Sequence, residues 1–223
     1  MDIRKYFQEP NVQEPNVQEP NVQEHNVQEP NVQEHNVQDN IIEVFTDGST
    51  FNNGQKNKVK FGGIGVYFNN NIYPSISESL YGKITNNIAE LKAIITAIDY
   101  IINLKEYDKN KTKIHIYSDS EYTINCILKW GKSWEQNGWV KKDKKEISNK
   151  DLIIKLYNYY NKHKIKFIHV RSHTIEPKEP ILHKIWYGNK MADKLATDSS
   201  KSSKEFYNLN GLSSKSNSFL SPS

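Results

Sequence analysis

The sequence predicts an α/β domain on a five-stranded mixed sheet, three antiparallel strands then two parallel, with helices on both faces. Three observations point there. Apolar, β-branched runs at Ile41–Phe45, Val59–Phe68 and Ile72–Tyr81 follow one another across short polar loops, as in an antiparallel meander. Beyond Tyr81, helical periodicity alternates with short strand-like runs, the pattern of parallel strands joined by crossover helices. Both ends of the chain lack either pattern.

Taken in order, the first strand runs from Ile41 and stops at Thr46-Asp47-Gly48-Ser49, a turn signal with a carboxylate at its mouth. Asn52, Asn53 and Gly54 make the next loop, and Gly62, Gly63 and Gly65 in the second strand weaken it or permit close backbone approach. A helix is expected from about Asn86 to Lys105, capped by Thr85, with Ile88, Leu91, Ile94, Ile95, Ile98 and Ile102 as its buried stripe. Lys113–Ser118 is the fourth strand, and Asp119-Ser120 caps a helix reaching about Trp130. A basic segment with three tryptophans, Trp130, Trp134 and Trp139, continues to Glu146. A helix over Asn149–His163, a fifth strand over Ile165–Val170, a Pro-containing loop to Tyr187 and a last helix over Gly188–Thr197 complete the domain.

This divides the chain into residues 1–8, 9–39, 40–199 and 200–223. Six pentapeptides, EPNVQ or EHNVQ, fill Glu9–Gln38. A period of five fits neither heptad nor solenoid, and valine alone cannot offset the entropy of ordering, so an extended acidic spacer is expected. His25 and His35 admit a metal-binding reading of the same tract. The Ser/Asn/Lys-rich stretch from Ser199 onward is expected to be disordered. Between Ile41 and Ser200 there are 25 Lys and Arg against 17 Asp and Glu. Such a basic domain suits a polyanionic partner, although a lysine-rich solvated surface has the same composition. The single cysteine, Cys126, excludes an intrachain disulfide and a cysteine-based zinc site. With no membrane-length apolar run and no signal-peptide pattern, an intracellular monomer in nucleus or cytoplasm is expected, not a secreted protein.

Acids recur at structured places. Asp47 ends the first strand, Asp119 ends the fourth, and Glu90 lies one turn beyond the cap of the long helix. Any one of them reads equally as a solvated cap or turn carboxylate. Gathered together they would repel one another without a cation, and hard oxygen donors suit Mg²⁺.

Phe45-Thr46-Asp47-Gly48-Ser49, Thr85-Asn86-Asn87-Ile88-Ala89-Glu90-Leu91, Tyr117-Ser118-Asp119-Ser120 and Gly188-Asn189-Lys190-Met191-Ala192-Asp193 resemble, in order, the four acidic motifs of type 1 ribonuclease H. The resemblance spans roughly Ile41 to Thr197. It implies a ribonuclease H-like fold and hydrolysis of the RNA strand of RNA–DNA hybrids, leaving 5′-phosphate and 3′-hydroxyl ends. It implies Asp47, Glu90, Asp119 and Asp193 as ligands of two Mg²⁺ ions, with Mn²⁺ as the other candidate metal. His173, in Val170-Arg171-Ser172-His173, matches the family's assisting histidine. The chain departs from the family in the segment Thr174–Tyr187, an insertion carrying Pro177 and Pro180, and Trp186 within it has no assigned place.

The Trp130–Glu146 segment resembles the basic protrusion of the cellular enzymes. Tyr122, Trp130 and Trp134 match a channel for the DNA strand, with Lys141, Lys142, Lys144 and Lys145 alongside. Trp139 reads as core. Lys83, Thr85 and Asn149 match a pocket for a DNA phosphate, and Asn53, Asn86 and Asn87 match contacts to the hybrid's minor groove. Met1–Phe7 resembles a sliding-clamp-binding peptide, with Ile3, Tyr6 and Phe7 as its plug and the repeat as its tether in DNA replication; an inert tail is the alternative. Two other functions fit the fold: a non-catalytic nucleic-acid-binding module, and an enzyme acting on junctions or duplex DNA.

Overall fold

The computed structural model describes residues 40–51, 61–69, 72–172 and 174–216. The clamp-like peptide, the repeat spacer, Asn53 and His173 lie outside the described residues. The central strand is β1 (Asn40–Phe51). It pairs antiparallel with β2 (Phe61–Tyr67), which pairs antiparallel with β3 (Ile76–Leu80). On its other side β1 runs parallel to β4 (Thr112–Ser118), and β4 runs parallel to β5 (Lys164–His169). The sheet order is therefore β3-β2-β1-β4-β5, as the meander and the crossovers require.

The turn expected at Asp47-Gly48 is absent, because β1 continues to Phe51. Asp47 pairs with Gly65 and Gly48 with Ile64, so the antiparallel neighbour carries the strand onward after the parallel one has ended.

Alternation along β1 sends Ile42 and Val44 to one face and Phe45 to the other. The first face carries the main core. Helix α1 (Asn86–Ile102) lays Leu91, Ile94, Ile95, Ile98 and Ile101 against it. Ile153, Leu156 and Tyr157 of α4 (Lys150–Lys162) join them. Between β4 and α4 the expected single helix is three pieces: α2 (Glu121–Asn125), a π-helical turn (Cys126–Trp130) and α3 (Gly131–Gln136). Cys126 and Ile127 of the π-helical turn are buried in the same core.

The opposite face is covered by α5 (Pro180–Ser216), and two expectations are corrected there. Pro180–Tyr187, expected as loop, is helix. Proline is suited to the first helical position, and the Glu179 carboxylate accepts from the backbone N–H of Ile181 at 3.1 Å and Leu182 at 2.7 Å. The expected disordered tail is also helix as far as Ser216, with 217–223 outside the described residues. Its serines make the reason plain. Ser199, Ser200 and Ser203 are buried against the sheet. The Ser199 hydroxyl donates to Ile64 O at 3.2 Å, and that of Ser203 to Leu80 O at 2.9 Å. The Ser79 hydroxyl donates back to Ser199 O at 2.7 Å. The helix approaches this closely because β2 is glycine-rich there: a Cβ on Gly65 would lie 2.1 Å from Ala192 O, and one on Gly63 2.1 Å from Ser199 Oγ. Small residues, alanine and serine alike, suit this close approach, and the Ser199 and Ser203 hydroxyls also bond the sheet.

Candidate active site

Register places the first two acids. Phe45 opposite Tyr117 is the last parallel pair of β1 and β4, and Asp47 and Asp119 each lie two residues further on. They stand at the carboxyl end of the parallel pair, where β4 departs and one side of β1 opens, the usual crevice of such sheets. The third acid arrives on α1. The Thr85 hydroxyl accepts from Ile88 N at 3.3 Å and fixes where the helix begins. Gly48 then lets its second turn press onto β1, since a Cβ there would lie 2.2 Å from Glu90 N and 2.4 Å from Ala89 C.

Carboxylate oxygens of Asp47, Glu90 and Asp119 all come within 4.8 Å of one another. Asp47 and Glu90 are only 7% and 5% exposed. Glu90 Oε1 accepts from Asn86 Nδ2 at 3.4 Å, and Asn86 Oδ1 accepts from the Thr50 hydroxyl at 3.5 Å. Glu90 Oε2 is buried with no partner among the described residues. Burial, and then the charges of Asp119 and Asp193, push the Asp47 carboxyl up to about 7. Burial and the Asp47 and Asp119 charges push Glu90 well above its ordinary range. Asp119 is raised by burial, while a hydrogen bond with Ser172 and the nearby His169 pull the other way. Three crowded, desolvated carboxylates, one with an orphaned oxygen, are poorly served by protein alone. The donor set fits a hard divalent cation.

Asp193 sits on α5, exposed, outside the tight trio but close enough for its charge to act on Asp47 and Asp119. Between it and Asp119 opens a cavity of about 280 Å³, walled by Asp119, Ser172 and Asp193 and by Arg171, Trp186 and Lys190. Sequence reasoning assigned none of Arg171, Ser172, Trp186 or Lys190. Trp186 now has a place: its indole N–H donates to Thr174 O at 3.0 Å, and the Lys190 ammonium lies 4.5 Å from its ring centroid. Composition carried no signal for these contacts, because they depend on Pro180–Tyr187 being helical. His169, also unassigned, places Nε2 3.3 Å from Asp119 O.

Beside the trio, a larger cavity of about 520 Å³ is lined by Asn87, Tyr122, Trp130, Trp134, Lys141 and Lys142. The Trp130 and Trp134 rings lie 5.5 Å apart at 46°. Asn149, at φ 61°, donates from Nδ2 to the Tyr122 hydroxyl at 3.4 Å, so it orients one wall of this groove. Asn86 is turned to Glu90, whereas Asn87 faces the groove. Lys83 is exposed on the loop leading into α1. Trp139 packs on Tyr157 at 5.5 Å and belongs to the core. Among the described residues no helix is long and apolar enough to cross a membrane.

Comparison with known proteins converges on one family. The RNase H family model matches residues 39–201. The chain is 37% identical over 141 residues to a "Probable ribonuclease H" of Acanthamoeba polyphaga mimivirus, a match covering 63% of this chain and 58% of that protein. It is 34% identical over 132 residues to a ribonuclease H of Clostridium botulinum, covering 59% of this chain and 83% of that protein. Among solved structures, LC9-RNase H1, described as a type 1 RNase H with the type 2 active-site motif, superposes with a TM-score of 0.55 at 22% identity, over 74% of each chain.

Proposed function

This chain belongs to the ribonuclease H family, and from that premise we propose that it is a metal-dependent endonuclease cutting the RNA strand of RNA–DNA hybrids. The observation that carries the reading is the trio of Asp47, Glu90 and Asp119, with oxygens within 4.8 Å of one another at the carboxyl end of the sheet. A purely binding module would gain nothing from concentrating negative charge where a phosphate must approach.

Asp47, Glu90 and Asp119, with Asp193 beside them, would hold two Mg²⁺ ions. When bound, the ions supply Lewis acidity for phosphodiester hydrolysis, which leaves 5′-phosphate and 3′-hydroxyl ends. The chain's own residues bind and orient. Lys141 and Lys142 neutralise the backbone of the uncut strand while Tyr122, Trp130 and Trp134 offer faces to its sugars and bases. Asn87, facing the same groove, supplies a donor and an acceptor of the kind that reads a 2′-hydroxyl. Thr50 and Asn86 hold Glu90 in place from behind.

The test is a panel of labelled substrates with Mg²⁺: hybrid, single-stranded RNA, duplex RNA, duplex DNA and a junction. Cleavage confined to the RNA of the hybrid, at internal positions, is the expected outcome. Binding to hybrid without cleavage in Mg²⁺ or Mn²⁺, or preferential cutting of DNA, refutes it.

A further inference from the structure

We propose that the cavity between Asp119, Asp193 and the first turns of α5 is a phosphate subsite for the cut strand, in which Arg171 and Lys190 hold a backbone phosphate next to the scissile one. This rests on the hybrid-cleavage reading and adds to it a second point of grip.

The charge arrangement is the first reason. Arg171 and Lys190 line one cavity with Asp119 and Asp193, yet among the described residues neither forms an ion pair. Two cations left without carboxylate partners beside two carboxylates suit an incoming anion better than they suit the protein alone. The second reason is preorganisation. Lys190 is exposed, but its ammonium lies 4.5 Å from the centroid of Trp186, and that indole donates to Thr174 O at 3.0 Å. That contact, modest in strength at an exposed site, biases the cation toward the cavity before substrate arrives and lowers the ordering cost of binding. The third reason is placement. The aromatic groove lies on the α2–α3 side of the acid trio and this cavity on the α5 side. A duplex with one strand in the groove lays its other strand across the acids, and the next phosphate along that strand meets Arg171 and Lys190. The cavity, about 280 Å³, has room for a phosphate and a few waters at about 30 Å³ each.

The test uses the full chain, with a fluorescently labelled hybrid in Ca²⁺ in place of Mg²⁺ to read binding without turnover. Parent, Lys190→Ala, Arg171→Ala, the double variant and Lys190→Arg are titrated against salt. Each lost phosphate contact should lower the slope of log affinity against log salt by about 0.9 or less. The double variant should show the larger loss and Lys190→Arg should restore the parent slope. In Mg²⁺ the double variant should raise KM about tenfold or more with kcat within about twofold, the signature of lost binding that is equal in ground and transition states. Neutralising RNA phosphates one at a time as methylphosphonates should reveal one position that weakens the parent and leaves the double variant unaffected. Parent-like slope and KM in the double variant, or a phosphate on the DNA strand as the sensitive one, overturns the subsite. Failure of the parent to cut hybrid at all refutes the activity instead, and the salt slopes still decide the subsite.

Discussion

Replacing Asp47 by asparagine should make the metal-free protein more stable at neutral and alkaline pH while destroying its activity. Asp47 is 7% exposed and its carboxyl is carried from 3.8 to about 7, first by burial and then by the charges of Asp119 and Asp193. In the unfolded chain the same group ionises near 3.8. Between those two values the native state holds a proton that the unfolded state has released, so stability falls as pH climbs from about 4 to about 7. Above that window the ionised native form carries the whole penalty, about 4 kcal/mol for a displacement of this size. Glu90 and Asp119 share in it, so the gain from removing one charge is roughly 2–4 kcal/mol. In EDTA, Asp47→Asn should melt with the parent near pH 4 and above it at pH 8, by roughly 5–15 °C for a domain of this size. Adding Mg²⁺ should raise the parent's Tm and leave the variant's almost unchanged, closing the gap. Thermal melts followed by circular dichroism across pH 4–8, with and without metal, read all of this. A variant no more stable than the parent at pH 8 without metal refutes the claim that burial and neighbouring charge penalise the ionised Asp47 carboxylate.

The remaining predictions are shorter. Asp119→Asn should lose hybrid cleavage to background while binding hybrid as well as the parent or better, by gel assay and anisotropy; parent-rate cutting would remove Asp119 from the metal site. Gly48→Ala should cost about 2–3 kcal/mol in urea unfolding and lower activity, since the new Cβ meets Glu90 N at 2.2 Å and must push α1 off β1. Trp130→Ala and Trp134→Ala should each weaken hybrid binding by about 1–3 kcal/mol, with little change in Tm for the exposed Trp130 and a lowered Tm for Trp134, which also packs against the core. Ending the chain after Asp198 should lower stability by about 3 kcal/mol, from three lost hydrogen bonds joining Ser199 and Ser203 to β2 and β3; an unchanged denaturation midpoint would show the end of α5 to be dispensable.

The sheet and the acid trio were legible in the sequence because local rules determine them. Short polar loops favoured a meander, helical periodicity marked crossovers, and the strand-end position of Asp119 followed from its run of β-branched residues. Glu90 could be placed because Thr85 is a good cap, and the cap sets every later position on the helix. The strand position of Asp47 is legible for a partly wrong reason: its glycine neighbour reads as a turn, whereas Gly48 serves the approach of α1 to a strand that runs on. The misread regions were those where tertiary contact overrides composition. Serines after Asp198 look solvated until the glycines of β2 offer them a surface. Pro180 reads as a loop former, although proline at a first helical turn, after a glutamate that caps it, is equally a start signal. Trp186 could not be placed without that helix. No pattern of residue types announces the π-helical turn at Cys126–Trp130, which is buried on one side and leads directly into the groove.

That wide turn bears on how grip can change while chemistry stays fixed. A π-helical segment accommodates residues that an ordinary spiral would advance by about 100° each. Deleting one position within 126–130 would let the coil relax to ordinary α-helix with Trp134 still on the channel, whereas deleting one of residues 131–133 of α3 would turn that ring by about 100° around the axis. Asp47, Glu90 and Asp119 lie before α3 in the chain and Asp193 lies on α5, beyond the loop, helix and strand that follow, so the spacing of the acids would be kept. A single codon here could thus detune affinity for the uncut strand independently of the hydrolytic centre, giving lineages a dial that point substitutions among the carboxylates cannot offer.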